Sequence, residues 1–199
     1  MAANQVTFAP NTTTSPQNSF VLEAGGWIQG MELDNQPSRM QRESGLLINA
    51  TQPVWGGMMV NQYIPTINQN GQGCNLEIAT AQETDFGFVT FASAYNMILV
   101  PGNDVPSALN DGTVLYYPNG KWARLPVQCS SSLAAALEGG LVSQAVYWDF
   151  TTQTLTNTGT TAIPGARIKG FNSNSLIVNY NSTTGALTWS VGTCALLEF

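Results

Sequence analysis

The sequence predicts an all-β protein, an antiparallel jelly-roll-like sandwich or barrel built from hairpins, with at most one short helix. Three observations carry that reading. A hairpin pattern is written twice: Val146-Tyr147-Trp148-Asp149-Phe150-Thr151-Thr152-Gln153-Thr154-Leu155-Thr156 aligns without gaps on Val178-Asn179-Tyr180-Asn181-Ser182-Thr183-Thr184-Gly185-Ala186-Leu187-Thr188. In each copy a β-branched and aromatic run meets a polar turn and then a second β-prone run, the mark of an antiparallel hairpin. Asn119-Gly120, between Val114-Leu115-Tyr116-Tyr117 and Lys121-Trp122-Ala123-Arg124-Leu125, predicts a third, because both turn residues tolerate positive φ. The rest of the chain from Gly45 onward repeats the alternation of short apolar run and turn signal.

Taken in order, residues 1–20 read as an extended arm. The stretch holds Pro10, Pro16 and Thr12-Thr13-Thr14 and has no charge, with Val6, Phe8 and the following Phe20-Val21-Leu22 as its anchors. Such a segment buries too little apolar surface to order alone, and it could instead order on a neighbouring subunit. Residues 21–199 read as the β domain, with two lobes divided near 126–132 as the alternative. Glu32, Asp34, Arg39, Arg42 and Glu43 form a mixed charge cluster, read either as a solvated loop or as a contact between subunits.

Leu46-Leu47-Ile48 and Val54-Trp55-Gly56-Gly57-Met58-Met59-Val60 read as strands, the glycine pair marking a bulge or a close backbone approach. Asn68 to Gly73 reads as an exposed connection. Phe86-Gly87-Phe88-Val89-Thr90-Phe91 alternates large apolar residues on both faces, so both should be covered. Ser131-Ser132-Leu133-Ala134-Ala135-Ala136-Leu137-Glu138 is the one plausible helix, opened by a serine cap and stopped by Gly139-Gly140. After the repeated hairpins the apolar Cys194-Ala195-Leu196-Leu197 leads to Phe199, which should dock in a sheet.

Composition bounds function more sharply than any motif. At 199 residues the chain is long enough to bury a sizeable core. Only 9% of residues are charged, against about 25% in ordinary soluble domains. A surface of Asn, Gln, Ser and Thr suits broad contact with neighbours, since desolvating an amide costs less than desolvating an ion. The net charge of −6, with six basic residues in all, argues against direct nucleic-acid binding. No apolar run is long enough to span a membrane, and no signal peptide is visible, which points to synthesis in a cytoplasm.

Histidine is absent, which removes the commonest general base and metal ligand. Cys74, Cys129 and Cys194 stand far apart and read as structural thiols rather than as a metal set. No phosphate loop is present, and the scattered carboxylates give no spacing that implies a catalytic pair. The expectation is a protein without catalytic residues, cofactor or metal. Trp27, Trp55, Trp122, Trp148 and Trp189 leave one rival open, a carbohydrate- or receptor-binding module of a virion or cell surface. That module would need several exposed tryptophans beside a groove.

Pro53-Val54-Trp55-Gly56-Gly57-Met58-Met59-Val60, Asp85-Phe86-Gly87-Phe88-Val89, Gly139-Gly140 leading to the hairpin at Val146, and Ile163-Pro164-Gly165-Ala166-Arg167 follow one another in an order that resembles the capsid cement, or decoration, proteins of tailed bacteriophages. The likeness runs over roughly residues 45–190. This chain is longer at its N-terminus and carries Gln153 where glycine is the commoner turn residue. The resemblance implies a jelly-roll-like protein that forms homo-oligomers, dimers or trimers, on the outer capsid surface of the virion. It would clamp neighbouring copies of the major capsid protein after synthesis in the host cytoplasm. Val6, Phe8, Glu32, Asp34, Arg39, Arg42 and Glu43 are the expected contacts with the shell or between subunits.

Overall fold

In the computed structural model, residues 26–32, 41–66, 73–92 and 105–199 are described. The expected arm of residues 1–20 lies outside them. The first strand, β1 (Glu43–Leu47), is followed by β2 (Val54–Trp55), β3 (Met59–Tyr63), β4 (Cys74–Ile78), β5 (Phe86–Val89), β6 (Ser107–Ala108) and β7 (Thr113–Pro118). Five of these close a barrel in the order β1-β4-β3-β5-β7, while β2 and β6 pair separately. All but one of the barrel pairings are antiparallel. The exception is β1 with β4, which run parallel with Leu47 opposite Leu76. The intervening β2 and β3 supply the crossover that a parallel pair requires.

The second half adds β8 (Arg124–Gln128), α1 (Ser131–Leu137), β9 (Tyr147–Asp149), β10 (Thr154–Thr156), β11 (Arg167–Asn181) and β12 (Ala186–Glu198). β11, β12 and β8 form a three-stranded sheet with β12 in the centre, and β9 and β10 form a hairpin. The protein is therefore all-β, with one short helix among the described residues. Ser130 caps that helix, its hydroxyl accepting from the Leu133 N–H at 3.1 Å. The 126–132 stretch runs through the end of β8, this cap and the first turn of α1.

Both repeated hairpins form, and they share a turn at the level of single bonds. Asp149 Oδ1 accepts from the Thr151 and Thr152 N–H groups, at 2.8 and 3.3 Å. Asn181 Oδ1 accepts from Thr183 and Thr184, at 2.9 and 3.2 Å. The residue closing each turn is left-handed, with φ of 55° at Gln153 and 72° at Gly185. Gln153 offsets the backbone cost of that conformation through its buried side chain. Its Nε2 donates to the Ala79 and Phe150 carbonyls, both at 2.9 Å, and so ties the hairpin to the barrel.

The third expected hairpin does not form. Asn119-Gly120 makes a turn, but β7 and β8 leave it for different sheets. Both edges of β7 are taken, by β1 and β5, and β8 pairs with β12. A turn signal fixes local chain reversal; which strands pair is decided by the edges left open and the faces to be buried.

Two apolar clusters fill the fold. One lies inside the barrel, with Leu47, Trp55, Met58, Val60, Leu76, Val89 and Tyr116. The other lies between the barrel and the second half, where Phe86, Phe88 and Tyr117 meet Leu125, Trp148, Leu155, Leu197 and Phe199. The alternation of β5 is thus realised, Phe86 and Phe88 facing one cluster and Val89 the other. The long β11–β12 hairpin reaches both: Ile168 and Leu197 belong to the second cluster, Val178 and Leu187 to the first. Register shifts at Ile168/Gly170 and Asn172/Ser175 let it bend between them.

The glycine pair meets its expected close approach. The segment 26–32 crosses Gly56-Gly57 so tightly that a Cβ on Gly30 would lie 2.4 Å from the Gly56 backbone. Gly30 accepts from the Phe91 N–H at 2.6 Å, and Gly57 donates to Val89 at 2.7 Å.

Candidate functional site

Register places a charged row across the three-stranded sheet. Glu198 on β12 stands opposite Arg167 on β11 and opposite Arg124 on β8, so three residues distant in sequence share one line. Lys169 joins them across the shift in register after Ile168. Arg124 Nε lies 2.6 Å from Glu198 Oε2, Lys169 Nζ 2.9 Å from Oε1, and Arg167 Nη1 3.9 Å from Oε1. The Glu198 side chain is only 5% exposed, whereas those of Arg124, Arg167 and Lys169 are 47%, 44% and 26% exposed. Burial by itself would raise the Glu198 carboxyl. The hydrogen bonds from Lys169 and Arg124, with their positive charges, outweigh it and hold the group below the usual carboxylate range.

Trp122 stands at the end of this row. It follows the Asn119-Gly120 turn, is 56% exposed, and has a φ of 56°. A left-handed tryptophan is strained by about 1–3 kcal/mol, and such strain gathers at functional surfaces. The Arg167 guanidinium sits 4.9 Å from the centre of its ring, a cation–π contact. Beside it Asn119, Gly120, Pro164, Gly165 and Phe199 border a hollow of about 220 Å³. Lys121, also exposed, is the preceding residue. Four of the chain's six basic residues, Lys121, Arg124, Arg167 and Lys169, are therefore in this row or in the turn that leads to it.

A larger groove, about 530 Å³, opens on the other side of Lys169 between α1 and the first half of β11. Leu137, Leu141, Val142 and Phe171 give it an apolar lining, and Glu138 also faces it. Leu141 and Val142 are exposed there.

The residues expected at an interface fall in three places. Arg42 pairs with Glu32 at 2.7 Å and ties the 26–32 segment to the start of β1. Glu43, on β1 itself, accepts from the Tyr116 hydroxyl at 3.0 Å, and Gln62 Oε1 and Cys74 Sγ lie equally near that hydroxyl. Burial, with Cys74 and Glu43 beside it, pushes the Tyr116 phenol up, so it stays protonated. Val6, Phe8, Asp34 and Arg39 lie outside the described residues. The row on the sheet was not among the expectations, because only strand register brings Arg124, Arg167, Lys169 and Glu198 together. The concentration of basic residues at 121–124 and 167–169 was the one signal in the sequence that pointed to it.

Cys129 and Cys194 are buried and unpaired; desolvation pushes both thiols up to about 12, which leaves almost no thiolate at neutral pH. Among the described residues no three His, Cys, Asp or Glu side chains gather into a metal-binding set. No described helix is long and apolar enough to cross a membrane. Comparison with protein-family models, with curated proteins and with solved structures gives no match.

Proposed function

We propose that this chain is a structural protein that decorates and stabilises the outer surface of a tailed-bacteriophage capsid, clamping neighbouring copies of the major capsid protein as a homo-oligomer. The observation that carries the reading is the distribution of charge. With 9% charged residues the surface is mostly amide, hydroxyl and apolar, and four of its six basic residues are gathered on one sheet face and the turn that leads to it. A surface of that kind loses little on being covered over a wide area, while a local charged row fixes orientation. The order of the motifs between residues 45 and 190 supports the same reading by resemblance. A protein that binds only the assembled shell stabilises it by mass action and needs no chemistry to do so.

The glycan-binding rival asks for several exposed tryptophans beside a groove. Trp55 and Trp148 are buried, Trp27 and Trp189 are half-buried, and Trp122 alone is exposed. That pattern favours the structural reading.

The test is to mix the purified chain with assembled shells of the major capsid protein encoded beside its gene and to image them by cryo-electron microscopy. Symmetric density over capsomer junctions is expected, with a higher melting temperature for decorated shells. Bare shells at saturating protein would overturn the proposal.

A further inference from the structure

We propose that the row of Arg124, Arg167 and Lys169, with Lys121 and Trp122 at its end, is the face that grips an acidic segment of the partner protein, one carrying an apolar side chain next to its carboxylates. The inference rests on the decoration reading and names the chemistry of its contact.

Charge complementarity selects the partner. The chain carries 12 acidic residues against 6 basic ones, yet three of those six gather around Glu198 and a fourth, Lys121, stands in the turn at the end of the row, with Glu138 on the far side of the adjoining groove. Glu198 is buried beneath the cations that it holds, so it positions them and leaves an outward face that is positive. Arg167 lies beyond hydrogen-bonding distance of Glu198, at 3.9 Å, and rests on the Trp122 ring. A guanidinium stacked on an aromatic face keeps its in-plane N–H donors for a carboxylate, which it can take in bidentate fashion.

Trp122 supplies the apolar half. Its strained backbone holds an indole in solvent beside the hollow bordered by Pro164, Gly165 and Phe199, a space suited to one apolar side chain. Tryptophan and arginine are the residue types that most often dominate binding energy at protein interfaces. Nucleic acid fits poorly, because a tract of phosphates would meet a molecule whose total charge is −6.

The direct test uses a fluorescein-labelled peptide of alternating glutamate and phenylalanine, followed by anisotropy, with a labelled oligothymidylate as the second probe. The full-length chain should bind the peptide, and affinity should fall steeply between about 0.05 and 0.5 M salt, as exposed charge pairs are screened. Lys121→Glu and Trp122→Gly, neither of which touches Glu198, should each weaken the peptide by about tenfold or more. Both variants should keep the fold; Trp122→Gly in particular relieves a left-handed backbone and should melt close to the parent.

Peptide binding that the two variants leave unchanged would overturn the proposal, as would no binding at all or tighter binding of the oligothymidylate. The shell experiment separates the two ideas. If the parent chain decorates shells and both variants decorate them equally, the row is not the contact although the decoration reading stands. If the parent leaves shells bare, that reading falls whatever the peptide does.

Discussion

Replacing Glu198 by glutamine tests whether the charged row is a feature of folding as well as of surface chemistry. Glutamine keeps the shape and one acceptor oxygen but removes the charge to which Arg124 and Lys169 donate at 2.6 and 2.9 Å and which Arg167 approaches at 3.9 Å. Removing one partner from a fully buried ion pair costs about 3–5 kcal/mol. Here the cations remain partly in water and can recover hydration, and exposed pairs contribute only about 0.2–1 kcal/mol each. The expected loss is therefore about 2 kcal/mol, or roughly 4–8 °C in melting temperature for a chain of this size.

The pH dependence gives the prediction its sign. The folded-state carboxyl is held below its unfolded value, so its contribution is fully present above the unfolded pKa of about 4.3 and is lost as pH falls through the folded value. Urea unfolding of the parent and of Glu198→Gln at a series of pH values from 7 to 3 should show a gap that is constant near neutrality and narrows in acid. A gap below about 0.5 kcal/mol at pH 7, or one that persists undiminished at the acid end, would refute the account of Glu198 as the anchor of the row.

Other consequences are as concrete. Phe88 is fully buried and has ring contacts with Trp148 at 5.3 Å and Phe199 at 4.6 Å, so Phe88→Ala should cost about 3–5 kcal/mol in urea unfolding and weaken the near-ultraviolet circular dichroism. Cys129 and Cys194 should resist Ellman's reagent at pH 8 in the folded protein and react once it is denatured; more than one reactive thiol in the native state would contradict their burial. Asp149→Asn should stay within about 1 kcal/mol of the parent at neutral pH, because Asn181 makes the same pair of turn bonds in the second hairpin. Hydrogen–deuterium exchange at the Thr151 and Thr152 amides checks that the turn survives.

The hairpins at 146–156 and 178–188 were legible because each is local: an Asx turn, two threonines and a left-handed closing residue lie within a few positions of one another. The serine-capped helix was legible for the same reason. Asn119-Gly120 shows where that legibility ends, since the dipeptide specified its turn but could not specify that β7 would be enclosed by β1 and β5 while β8 turned to β12. The parallel pairing of β1 with β4 is likewise a matter of which edges remain when the barrel closes, and no residue in either strand announces it.

The charged row extends that argument to function. Arg124, Arg167, Lys169 and Glu198 belong to three strands, and a slip of one residue in either pairing of β12 would turn Glu198 away from its partners or carry them to the opposite face. The shift after Ile168 brings Lys169 within 2.9 Å of a carboxylate that Arg167 only approaches. This releases Arg167 to stack on Trp122. Loss of the shift would therefore take Lys169 from Glu198 and leave that carboxylate to draw Arg167 off the Trp122 ring. Deleting Lys169, which shortens the strand by the residue at the shift, should damage binding of an acidic partner more than Lys169→Ala, which removes the ammonium alone. Equal losses from the two changes in the anisotropy assay would mean that the register carries no special role.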